Sequence, residues 1–108
     1  MINSSLSDIG RAGEKYVEEY LKTHSFTNIN QDIWQYGESN IKADSFGEKI
    51  LVQVKTSIFP SEPVEITGEE RIKIISRAVS IKRKPYAAYV KIDWVKRLLE
   101  SIRWEKLN

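Results

Sequence analysis

Ile9, Ala12, Tyr16, Val17, Tyr20 and Leu21 recur at helical spacing and predict a first helix with one apolar stripe. Ser7 or Asp8 would cap it, and it runs to about residue 22, where Thr23, His24 and Ser25 break the pattern. From Phe26 to Tyr36 the apolar positions thin out, and Ile29, Ile33 and Trp34 predict a strand of unassigned phase. Ile50, Leu51, Val52 and Val54 form a nearly continuous apolar run, as in a strand covered on both faces. Residues 39–44 and 49–56 read as a hairpin with its turn marked by Gly47-Glu48. Pro60 and Pro63 make 58–65 a loop. Thr67-Gly68-Glu69-Glu70 has the form of a capping box, so a helix starts there, with Ile72, Ile75, Val79 and Ala78 as its buried stripe. Tyr86 to Ile92, after Pro85, is a strand by composition. Asp93 would cap a last helix from Trp94 to about Ile102, with 103–107 as its tail or a short strand. The order is α-β-β-β-α-β-α, which predicts an α/β fold with a central mixed sheet flanked by helices.

Length and composition narrow this picture. At 108 residues, 41% of them hydrophobic, the chain reads as one folded domain spanning 1–108, with no internal repeat. It has no cysteine, which excludes thiol catalysis and Cys-ligated zinc and fits a reducing compartment. No segment is apolar for long enough to span a bilayer, and the N-terminus has no basic region followed by an apolar one. The expected localisation is therefore cytoplasmic, with no membrane partner. His24, the sole histidine, sits at a helix end and reads as a surface or dipole-compensating residue, so no histidine metal site or Ser-His-Asp triad is assigned, and no glycine-rich phosphate loop is present. A net charge of +2 is too small to argue for nucleic acid by itself. Its distribution adds more: Arg71, Lys73, Arg77, Lys82, Arg83 and Lys84 fall in a stretch without an acid. That run is either a solvated helix face or a phosphate-binding patch, and Lys82, Arg83 and Lys84 are its candidate contacts to DNA. The three tryptophans, Trp34, Trp94 and Trp104, are expected in the core or at an interface.

The chemistry centres on Gln53-Val54-Lys55. With only Val54 between them, Gln53 and Lys55 point to the same side of an otherwise apolar strand. Burying an amide and an ammonium costs free energy unless they find partners, so polar groups must share that face. On these residues, with Arg11-Ala12-Gly13-Glu14-Lys15-Tyr16-Val17 before them, the chain resembles the PD-(D/E)xK, or restriction-endonuclease-like, nucleases. The similarity is strongest to their small Holliday-junction-resolvase-like branch. There a first helix supplies a Glu, a hairpin strand an Asp, and the next strand E-x-K, or in some branches Q-x-K followed by Thr. The resemblance implies a restriction-endonuclease-like fold and Mg²⁺-dependent hydrolysis of DNA phosphodiesters. The acids would hold the metal, the metal would polarise the phosphate and its bound water, and the lysine would stabilise developing negative charge. Carried over residue by residue, Glu14 is the matching acid of the first helix, and Gln53 and Lys55 match the Q-x-K form. The motifs cover about residues 8 to 57, and the rest follows by element order. Small members of the superfamily often act as dimers, so a homodimer is a further expectation.

The acidic hairpin position has two candidates. The resolvase-like spacing, D-x12-E-x-K, counted back from Gln53, falls on Asn40. If 45–48 form a four-residue loop, Asp44 pairs with Lys49 and Asn40 lies across from Gln53, leaving Asp44 roughly 13 Å from it. If Gly47-Glu48 is a two-residue turn, Asp44 faces Leu51 and is diagonal to Gln53, roughly 7–8 Å away, close enough for a shared metal. The family spacing selects the first register. Glu14 and Asp44 are the candidate metal ligands, Glu38 a substitute near Lys55, and Asn40 and Gln53 the ligand positions now filled by amides. Two functions remain open: a Mg²⁺-dependent DNA endonuclease, or a catalytically inactive nuclease-fold module that binds DNA or a protein partner.

Overall fold

A computed structural model of the chain describes residues 6–33 and 39–108. The elements follow as α1 (Leu6–Thr23), β1 (Thr27–Ile33), β2 (Ser39–Ser45), β3 (Glu48–Ile58), α2 (Gly68–Ser80), β4 (Lys84–Ile92) and β5 (Arg103–Lys106). The five strands form one sheet in the order β1-β2-β3-β4-β5. Only β3 and β4 run parallel, because α2 carries the chain back between them; the other pairs are antiparallel.

The alternation of β3 and its neighbours divides the core in two. On one face Ile50 and Val52 join Ile41, Ala43, Ala88, Val90 and Ile92 beneath the α1 residues Val17 and Leu21. The predicted α1 stripe is the one used, with Ile9, Ala12, Tyr16 and Tyr20 packed around that cluster. On the other face Leu51, Ala87, Tyr89 and Leu107 meet Ile74 and Ala78 of α2. Central β3 is thus covered on both sides, as its apolar run requires.

Three expectations are corrected. The helix predicted from Trp94 to Ile102 does not form, so the last element is the short strand β5 and the order ends β-β. Asp93 does accept the Val95 and Arg97 amide protons at 3.0 and 2.8 Å, but Lys96 turns left-handed with φ 64°. The chain then folds back alongside β4, with Leu98 bridged to Ile92, and the Tyr16 hydroxyl bonds the Lys96 carbonyl and the Leu98 amide. Tyr16, far away in sequence, therefore competes with helix formation, and Trp94 is left exposed. The second correction concerns α2. Ile72 and Val79 face solvent and Ile74 is buried in their place, while Ala78 is buried as expected and Ile75 packs against the same cluster. Its inward side also carries Glu70, Arg71 and Arg77, because the sheet face beneath it is itself polar. The third is the hairpin turn: Ser45 pairs with Glu48, so Phe46-Gly47 is the two-residue loop, and Gly47 takes the φ of 83° that the turn demands.

Candidate functional site

Strand register builds the site. Asn40 pairs with Gln53 and Asp44 with Lys49, so the register expected from the resolvase-like spacing is the one adopted, and the Gly47-Glu48 alternative is excluded. Asp32 pairs with Asn40, and Gln53 with Ala87. Directly opposed residues point to the same face, so Asp32, Asn40 and Gln53 form one polar row on the α2 side of the sheet. Lys55 follows Gln53 on that side. Asp32 and Asn40 are almost wholly buried, at 5% and 4% exposure.

Helix α2 supplies the counter-charges. Arg77 donates from Nε and Nη2 to the two Asp32 carboxylate oxygens at 2.9 and 2.8 Å, with the Lys42 ammonium 3.9 Å from Oδ1. This bidentate pairing holds the Asp32 carboxyl below the ordinary carboxylate range, against the cost of burial. At the other end of the row, Glu70 Oε2 receives both the Gln53 side-chain amide, at 3.3 Å, and the Lys55 ammonium. Its second oxygen accepts the Thr67 amide proton at 2.9 Å, while the Thr67 hydroxyl accepts that of Glu70, completing the capping box anticipated from sequence. Burial works against the Glu70 charge, but Lys55 and Thr67 outweigh it and leave its pKa lowered.

The other candidate residues lie elsewhere. Glu14 belongs to the helix on the opposite face, where it accepts from Arg11 at 3.0 Å and from Gln31 at 2.6 Å. The sheet therefore stands between Glu14 and the Gln53–Lys55 pair. Asp44 lies four residues along β2 from Asn40, roughly 13 Å away, and is bonded to Arg83 at 2.7 Å and Asn28 at 3.1 Å, which lower its pKa. Glu38 and Trp34 lie outside the described residues. The basic run is also largely committed: Arg71 to Glu105, Lys73 to Glu69, Arg77 to Asp32, and Arg83 to Asp44 and the carbonyls of Ala43 and Ile50. Lys82 and Lys84 remain exposed.

Sequence reasoning missed Asp32, Glu70 and Arg77 as site residues. Asp32 sat in a strand whose phase could not be assigned, Glu70 was read only as a cap, and Arg77 only as part of a basic run. The available signal was the buried polar face itself: Gln53 and Lys55 demanded partners, and the helix following β3 begins with a glutamate.

This donor set does not fit the Mg²⁺ that the sequence resemblance implied. A hard dication needs anionic oxygen, yet the two central positions are amides and both flanking carboxylates are bound to cations. Among the described residues no three metal-ligating side chains cluster.

The fold has a known counterpart. The structure of Archaeoglobus fulgidus Hjc, a Holliday junction resolvase from an archaeal hyperthermophile, superposes with a TM-score of 0.68 over 91% of this chain and 72% of that one. The fold is restriction-endonuclease-like. Sequence identity is 14%, so the restriction-endonuclease-like likeness concerns the chain path and not the chemistry. Neither a family model nor a curated protein sequence matches the chain.

Proposed function

We propose that this protein is a nuclease-fold module that binds DNA without hydrolysing it. One observation carries the reading: the row Asp32–Asn40–Gln53 has amides at its centre, and its flanking acids are closed by Arg77 and Lys55. The Glu70 carboxylate occupies one donor of the Lys55 ammonium and offsets the positive charge that a phosphate would otherwise meet. The fold shared with a Holliday junction resolvase supports DNA as the partner.

The test pairs metal binding with cleavage. Calorimetric titration of the protein with Mg²⁺ or Mn²⁺ should give no binding heat, and branched and linear DNA should survive incubation with either metal. A nick that disappears in Lys55→Ala would overturn the reading in favour of a Mg²⁺-dependent nuclease. That second reading has one observation behind it: the Glu70 carboxylate stands beside the Gln53 amide, supplying an anionic oxygen at a position where the glutamine has none.

A further inference from the structure

The polar row does not explain the end of the sheet where β2 turns into β3. Phe46 is the first of the two loop residues there and is fully exposed. Gly47 meets the conformational demand of the turn, so nothing in the backbone asks for an aromatic residue beside it. Exposed lysines surround this tip. Lys49 lies across from Asp44 and so points to the α2 face, whereas Lys84 starts β4 in register with Ile50 and points to the α1 face, so the two flank the tip from opposite sides. Lys82 lies just before Lys84, in the α2–β4 turn.

Lys82 adopts φ 58°, left-handed backbone that favours glycine. Its amide closes the end of α2 on the Val79 carbonyl at 3.1 Å, and the Arg83 amide reaches the Ala78 carbonyl at 2.8 Å, a closure in which glycine is the usual residue. A lysine stands there nonetheless, and among the described residues it makes no salt bridge. Arg83 then pins this turn to the hairpin through the carbonyls of Ala43 and Ile50 and the carboxylate of Asp44. The backbone that carries Lys82 and Lys84 is thereby held beside the hairpin. Of the acids nearby, Asp44 is paired with Arg83 and bonded by Asn28, whereas Glu48 accepts the Tyr86 hydroxyl at 2.8 Å and keeps its charge on the α1 side of the tip.

A protruding aromatic ring flanked by exposed lysines that make no salt bridge among the described residues matches a nucleic-acid strand with an accessible base. The ring offers a stacking face that every base can use, and the ammonium groups meet the flanking phosphates. We infer that the β2–β3 tip contacts DNA at unpaired or unstacked bases, with Phe46 stacking and Lys49, Lys82 and Lys84 holding phosphates. The inference rests on the DNA-binding reading above and specifies its surface and substrate class: single-stranded or branched DNA in preference to continuous duplex.

Fluorescence anisotropy with a labelled single strand, a four-way junction and a duplex of equal length tests it. The wild-type protein should prefer the first two. Phe46→Ala should weaken their binding about tenfold, within the stacking range measured by alanine substitution, and leave duplex binding nearly unchanged. Lys82→Gly relieves the backbone, so its melting temperature should equal or exceed wild type while the salt slope of binding falls by about one. Wild-type affinity in both variants would overturn the inference and leave DNA binding standing. Absence of binding to any DNA would overturn both. Phe46-dependent binding to vesicles of anionic phospholipid, with none to DNA, would mark the tip as a membrane contact and overturn the inference as well.

Discussion

Asp32 shows how a single carboxylate can be present at a nuclease-like site and yet unavailable to it. Its two oxygens are taken by the Arg77 fork, and it is nearly sealed from water. Removing one partner of such a pair leaves the other desolvated and uncompensated, which costs more than the pair itself contributes. Asp32→Asn should therefore lower unfolding stability by about 2 kcal/mol, at the lower end because Arg77 keeps some exposure. The same residue predicts the acid response. Asp32, Glu70 and Asp44 are all held below the ordinary carboxylate pKa. The unfolded chain then binds more protons than the native one as pH falls through about 4, where free carboxylates titrate. Stability from these groups is complete above that range and drains away as pH falls toward their depressed native values. Urea midpoints measured at pH 7 and pH 3 should differ less in Asp32→Asn than in wild type, because the asparagine has no proton to gain. An unchanged difference would show that Asp32 does not carry this dependence.

Among the elements, the contact between α1 and β3 is the tightest constraint. A Cβ built on Gly13 would lie 1.8 Å from Thr56 Oγ1 and 2.8 Å from Thr56 Cβ, so the Thr56 side chain packs directly on the helix backbone at Gly13. Gly13→Ala should cost about 2–3 kcal/mol by overpacking. The cost should shrink in a Thr56→Ala background, which removes the nearer clash; additive losses in that double-mutant cycle would exclude the contact as the cause. Such close approaches were not legible in the sequence, whereas the α1 stripe and the apolar β3 run were, since each follows from periodicity along one element. The hairpin register was legible through the spacing of Asn40 and Gln53. What stayed hidden depends on partners distant in the chain. Tyr16 diverts residues 94–102 from helix, and the polar sheet face rotates α2 so that Ile74 rather than Ile72 is buried. Glu70 and Arg77 acquire their roles only through that rotation, while Glu14, assigned by motif, ends on the other side of the sheet.

For the whole molecule, the consequence is a sheet held on its two faces by different forces. Beneath α1 the contact is apolar, centred on Val17, Leu21, Ile41, Val52 and Val90. Beneath α2 a smaller apolar cluster around Leu51, Ile74 and Ala78 is supplemented by the Asp32–Arg77, Lys55–Glu70 and Arg71–Glu105 ion pairs. Apolar burial is insensitive to acid and is not screened by salt, whereas partly exposed ion pairs respond to both. Helix α2 should therefore be a unit that opens before the rest of the fold. Hydrogen exchange offers a direct check: amides of Ile74 to Ala78 should report a lower opening free energy than those of Val17 to Leu21, which open only with global unfolding. Lowering the pH from 7 to 4 should lower both opening free energies together, because global unfolding releases the same carboxylates as the opening of α2. The expected opening exposes Asp32, Asn40, Gln53 and Lys55 together, so the closed site and the labile helix are one property of the molecule. Equal opening free energies for the two helices at both pH values would mean that the ion pairs do not set the stability of the α2 face.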